Sequence, residues 1–272
     1  MAVRIITKGP KNGICNICGE ESKLTEDHTP PKGCISVTQV ELKHIAARVS
    51  ADATSERRSV SQNGIKYRTL CARCNNGLLG ADYDVGLREF VNKIGDYLKS
   101  RMHLPPTLNV PGYPQKIVRA VLGHLSAQGV GRYKKGPQTE ALREYMLDTS
   151  LPLPEGISIY CWPYPYRGHV VVRDAAFTYL PIGKPCVFWL LKFFPVAFMV
   201  TWDQPEELVL EKVVSFDTWR NAPYDYQAEI PVPLMPLIYE YWPEAPTDDS
   251  IVVYGPEAIT ANEFKNPGKA KR

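Results

Sequence analysis

Two Cys-X-X-Cys pairs, Cys15/Cys18 and Cys71/Cys74, constrain this 272-residue chain more than any other feature, because 52 residues separate Cys18 from Cys71. Four thiolates in two such knuckles can surround Zn²⁺ tetrahedrally and leave no position open for substrate, so a metal held there is expected to be structural. The gap is too long for a short finger, and a folded insertion has to bring the knuckles together. A disulfide framework is the competing reading. The chain opens MAVRIITKGP, without the apolar stretch of a secretory signal, which leads to the expectation of a cytoplasmic protein with reduced thiols and favours zinc. Cys34, Cys161 and Cys186 lack pair spacing and are expected to be small buried hydrophobes.

The knuckles bracket Glu26-Asp27-His28, and the second runs straight into Asn75-Asn76. Adjacent residues in an extended segment point to opposite faces, so Asp27 and His28 can serve different tasks. A carboxylate suits a hard cation such as Mg²⁺, and a neutral imidazole can take a proton from water near pH 7. Asn75 follows the last thiolate, where a helix is expected to begin, so zinc would hold its amide within reach of a second metal. Glu26 is expected to be a surface carboxylate. Asp82 and Asp84 follow soon after, and Asp84 is expected to cap the next helix. His44, His103, His124 and His169 show no partner pattern and are expected to be ordinary surface or core residues.

The segments Cys15-Asn16-Ile17-Cys18, Glu26-Asp27-His28-Thr29-Pro30-Pro31-Lys32 and Leu70-Cys71-Ala72-Arg73-Cys74-Asn75-Asn76 resemble the HNH (ββα-metal, His-Me finger) endonucleases, in the subset with a treble-clef-like zinc site. The resemblance covers about the first 80 to 100 residues. It implies His28 as general base, Asp27 and Asn75 as ligands of one catalytic divalent ion (Mg²⁺ or Mn²⁺), and the four cysteines as zinc ligands. It also implies products with a 5′ phosphate and a 3′ hydroxyl. Two features depart from the family pattern. The family's middle asparagine falls about five residues before the second knuckle, where this chain has Lys66-Tyr67. The nearest candidate, Asn63, sits in an Asn-Gly pair expected to be a hairpin turn. The 42 residues between His28 and Cys71 also exceed the compact motif. Residues 35–62 are therefore read as an insertion, helical from Val40 to Val49 and a polar loop from Ser50 to Gln62.

The net charge of +3 is unremarkable, but its partition is informative. Residues 1–150 carry 22 Lys/Arg against 14 Asp/Glu, residues 151–264 carry 6 against 15, and the tail adds four cations. Basic side chains bind polyanions by displacing counterions, so DNA is expected on the first half, and RNA stands as a second polyanion of the same chemistry. Lys32, Arg57, Arg58, Lys66, Arg68 and Arg73 are the backbone-contact candidates, with Lys43 and Arg48 beside them. A solvated charged loop is the competing reading for each.

The expected fold class is α+β, with an N-terminal zinc-bound ββα module followed by helices and then a mostly antiparallel β domain. Residues 1–100 form the nuclease domain, 101–150 a helical segment, 151–264 the acidic β-rich domain and 265–272 a basic tail. Apolar residues recur at helical spacing in Leu87, Phe90, Val91, Ile94, Leu98, in Ile117, Val118, Val121, Leu122, Leu125, and in Leu142, Tyr145, Met146. Proline-marked linkers are read at 104–114 and 151–156. Runs at 157–161, 169–173, 186–191 and 198–202 read as strands, and the apolar stretch from Cys186 to Trp202 as two buried strands rather than a membrane span. Trp162, Tyr164, Tyr166, Trp219, Tyr224, Tyr226, Tyr241 and Trp242 are read first as core filling and second as a surface for a protein or ligand partner.

The leading expectation is a DNA endonuclease, whose layout suits a regulated enzyme, for example in defence against foreign DNA. One site per chain leaves room for a homodimer that cuts both strands. Two alternatives are a non-catalytic zinc-stabilised nucleic-acid-binding module and a protein-interaction domain for which zinc is only a staple.

Overall fold

The computed structural model describes residues 5–46, 59–100, 103–133 and 139–263. It begins with a short strand β1 (Asn12–Ile14) and the longer β2 (Glu21–His28), followed by β3 (Val40–His44), β4 (Ser59–Ser61) and β5 (Lys66–Cys71). A π-helical segment, Arg73–Tyr83, runs without a break into helix α1 (Asp84–Lys99). Strand β6 (Thr107–Gly112), helix α2 (Pro114–Ala127) and helix α3 (Thr139–Leu147) complete the first half. The second half supplies β7 (Ile157–Pro163), β8 (His169–Tyr179), β9 (Pro185–Phe193), β10 (Val196–Trp202), β11 (Val214–Ser215), β12 (Ala228–Pro233), β13 (Ser250–Tyr254) and β14 (Ile259–Glu263). The class is α+β, and the named strands pair antiparallel.

Three sheets result. The first, in the order β1-β2-β5, carries the knuckles and Asp27-His28. The second has nine strands, β11-β7-β10-β9-β8-β14-β3-β4, with β13 also paired to β8, and β6 pairs with β12 in the third. Strands β9 and β10 are nearly continuous apolar runs and are buried almost throughout, as the reading of Cys186 to Trp202 anticipated. Among the described residues no helix is long and apolar enough to cross a membrane. One apolar core runs from Cys15 and Leu24 through Leu87, Phe90, Val121 and Leu125 to Trp189, Phe198 and Ile259. A second lies on the other face of the large sheet around Ile45, Trp162, Phe188 and Met199. Trp162 and Tyr164 are core residues, with Trp162 edge-on to Trp242 at 5.0 Å between ring centres, whereas Tyr226 is exposed.

The expected helix from Val40 to Val49 is corrected. Val40–His44 is a strand that pairs with β14 on one side and β4 on the other. Val40, Leu42 and His44 are buried while Glu41 and Lys43 are half-buried, the alternation of a strand with one face covered. Pairing with residues more than 200 positions away overrode a weak local preference, and residues 47–58 lie outside the described ones. The nine-stranded sheet thus takes β3 and β4 from the insertion as well as strands from beyond residue 150. The described end of the polar loop and the linker at 104–114 are also corrected. Ser59–Ser61 and Thr107–Gly112 are strands, and Pro111 is tolerated because β6 lies in a two-stranded ribbon with one open edge. Asn63 lies in a turn, as expected.

Candidate active site and metal centre

The register of β2 against β5 slips between Thr25 and Glu26, which pair with Leu70 and Arg68, so Thr69 is the extra residue of a β-bulge. A bulge adds local twist and re-aims side chains. Leu24 and Asp27, three apart and on opposite faces of a flat strand, are both buried here. Thr69 is held by its hydroxyl on Ala127 O at 2.6 Å, and its carbonyl accepts from Asn16 N at 2.9 Å, which ties the bulge to the first knuckle and to α2.

The hairpin and helix start close the four cysteines into a buried group whose sulfurs lie within 4.8 Å of one another. Cys18 Sγ and Cys71 Sγ are 3.8 Å apart and all four thiols are free. A tetrahedron with Zn–S bonds of about 2.3 Å has S···S edges of about 3.8 Å, so the tetrad fits a structural metal such as zinc. The Cys15 thiol is lowered to about 5 by its bond with Cys74, with burial opposing and the backbone N–H groups of Cys71, Cys18 and Ile17 assisting. The same bond pushes the Cys74 thiol up and burial pushes the Cys18 thiol up, so a metal filling the tetrad has to displace their protons. Among the described residues Cys34, Cys161 and Cys186 join no metal-binding group.

Beyond the tetrad, a cleft of about 280 Å³ is lined by Glu26, Asp27, His28, Lys32, Asn75, Asp84, Arg88 and His124. The chain therefore brings its three predicted site residues, Asp27, His28 and Asn75, to one opening. Asn75 Nδ2 donates to Thr25 Oγ1 at 2.9 Å and to Glu26 O at 3.1 Å, which commits the nitrogen and leaves the amide oxygen for the cleft. His28 is half-buried. Burial holds its pKa below the ordinary value; Asp27 opposes this, and Lys66 and Lys32 add to the lowering.

The basic candidates divide. Lys32 is exposed at the rim together with Arg88, which the sequence reading did not single out, and neither is paired with an acid among the described residues. Lys66 and Arg68 grip the Glu26 carboxylate at 3.0 and 3.3 Å, so Glu26 anchors the hairpin, and Arg73 pairs with Glu20 at 3.2 Å. Arg57 and Arg58 lie outside the described residues.

Two expectations are corrected. Asp84 caps no helix: it lies inside the unbroken run from Arg73 to Lys99, and its carboxylate receives His124 Nε2 at 2.8 Å. His124 is no ordinary histidine. It is 1% exposed, with Nδ1 2.9 Å from Asp27 Oδ2, and bridges two carboxylates from different elements. Burial alone would depress its pKa, but Asp27 and Asp84 overcome this and hold it well above the ordinary value. The neighbouring Gly123 lets α2 pack against Leu79 of the helix that leads into Asp84. A Cβ there would meet Leu79 Cδ2 at 2.3 Å. Its partners are 97 and 40 residues away, beyond any local pattern. The available signal was a polar residue on the apolar stripe of Ile117, Val121 and Leu125. Asp82 is held by Lys116 at 2.9 Å.

No family model, curated protein or solved structure matches this chain. The functional reading therefore rests on the chemistry of the tetrad and the cleft.

Proposed function

We propose that the protein is a metal-dependent endonuclease that hydrolyses DNA phosphodiester bonds at the cleft beside a zinc-filled tetrad. The observation that carries this reading is the convergence of Asp27, His28 and Asn75 on one opening, from a strand end and a helix start stapled by the cysteines. Their donors are hard oxygens plus one imidazole, the set that suits a Mg²⁺ or Mn²⁺ site with a general base at its side. Asn75 Oδ1 and an Asp27 oxygen would hold the cation. When bound, it supplies positive charge to the phosphoryl and leaving oxygens.

His28 takes the proton of the attacking water. Its lowered pKa keeps the ring neutral, and so able to accept a proton, throughout the neutral range. Lys32 and Arg88 at the rim offer charge to the neighbouring phosphates and steer the strand inward. Lys66, Arg68 and Arg73 are engaged by acids, which speaks for a focused site over a broad basic face that binds without cutting.

Supercoiled plasmid incubated with Mg²⁺ or Mn²⁺ should be nicked or linearised, and a buffer without divalent cation should leave it intact. His28→Ala should lower the rate by roughly 10²–10⁴-fold, the usual worth of a general base. Its zinc content and melting temperature should match those of the parent. Undiminished cleavage by that variant would remove His28 as the base.

A further inference from the structure

We infer that His124 is a positioning residue for the cation site: held from behind by Asp84, it clamps one oxygen of Asp27 so that the other faces the cleft. This rests on the reading of the cleft as a cation site and deepens it. The hydrogen bonds to the Asp27 carboxylate fall on one atom, Oδ2, from His124 Nδ1 at 2.9 Å and Thr29 Oγ1 at 3.3 Å. Oδ1 is thereby left for a cation. Two donors on a single oxygen stop the carboxylate from rotating, and an oriented ligand binds without first losing rotational freedom.

The clamp is itself anchored. His124 lies in the last turn of α2, and its Nε2 donates to Asp84 Oδ1 at 2.8 Å. Asp84 comes from α1, which continues the helix that carries Asn75. A single buried ring thus fixes the strand that bears one proposed ligand against the helix that bears the other. Asp27, His124 and Asp84 do not form a ligand set themselves, since the carboxylates bond opposite edges of the imidazole.

The test uses the zinc-loaded full chain and Mn²⁺ alone, with free Mn²⁺ followed by electron paramagnetic resonance. His124→Gln keeps a nitrogen near Asp84 but withdraws the one at Asp27. It should weaken Mn²⁺ binding by about 10–100-fold, the usual cost of losing a partner that orients a ligand. His124→Asn places its amide nitrogen near the position of Nδ1 and should recover most of that loss. A purely structural histidine would lower the melting temperature in both variants without separating their Mn²⁺ affinities. Folded His124→Gln protein that binds Mn²⁺ within about twofold of the parent overturns the inference while the cation site stands. If that variant does not fold, Asp84→Ala decides: a severalfold weaker Mn²⁺ affinity supports the clamp and an unchanged one overturns it. A parent protein that binds no Mn²⁺, or binds it as well after Asp27→Asn, overturns the cation site and the clamp together.

Discussion

The three-stranded sheet with its helix and the nine-stranded sheet hold themselves together by different means. In the large sheet β9 and β10 bury nearly every side chain, and the buried Lys192 is matched by Glu244 at 2.7 Å with both fully enclosed. In the small sheet the interior consists of Leu24, Tyr67, Leu70 and a few neighbours around four thiols, and its other faces are spent on a polar cleft. Its apolar residues join the core that continues through α1 and α2 to the large sheet, and four thiols stand where the hairpin meets the helix, so a metal there would add a local staple. The candidate site residues sit beside the cysteine tetrad, and the nearly unbroken apolar burial lies in the large sheet.

Removing the staple should give the largest effect. Cys71→Ser should cost most of the folding energy of a structural zinc, of the order of 10 kcal/mol. The variant should lose zinc by metal analysis and lose the near-ultraviolet signal of Tyr67 and Tyr83, which belong to the same core as the four cysteines. A variant that kept the parental melting temperature would erase the contrast between the two regions.

Breaking the ion pair in the large sheet should come next. Glu244→Gln leaves Lys192 buried with an uncompensated charge and should cost about 3–5 kcal/mol in denaturant unfolding. Zinc content should stay at that of the parent. Loss of zinc on this change would show that the two regions do not separate energetically.

A smaller effect is expected at one end of β8 in the large sheet. His169, at the start of β8, has its pKa lowered to about 4 by burial, and its Nδ1 has no hydrogen-bond partner. The unfolded chain binds this proton near pH 6.5, before the folded one does, so the contribution of His169 to stability is complete above pH 6.5 and is lost as pH falls toward 4. The loss is about 3 kcal/mol from the size of the shift. His169→Leu should remove that part of the slope between pH 6.5 and 4 in urea midpoints, and an unchanged slope would count against a buried neutral ring.

What could be read in advance was local. Both knuckles, Asp27-His28 and Asn75 lie in short motifs whose chemistry is visible without a fold, and Leu87 to Leu98 or Ile117 to Leu125 announce helices by spacing alone. Strand β3 escaped because five residues of mixed character carry little periodicity, and their partner β14 lies at the far end of the chain. Asp84 looked like a cap because it precedes an apolar run, but an unbroken helix from Arg73 left no terminus to cap. His124 was legible only as a polar residue on an apolar face, and Arg88 only as one helix cation among several. The place of His124 between Asp27 and Asp84 depends on the packing of α2 against Leu79 at Gly123 and on the bulge at Thr69, which are properties of the folded chain.

The most direct test of a closed staple beside an open cation site is anomalous diffraction from crystals grown with zinc and soaked in Mn²⁺. The account predicts a zinc peak among Cys15, Cys18, Cys71 and Cys74, and a separate manganese peak within about 2.5 Å of both Asp27 Oδ1 and Asn75 Oδ1. Manganese absent from the cleft while zinc fills the tetrad, or bound elsewhere with Asp27 and Asn75 still facing the opening, would contradict it.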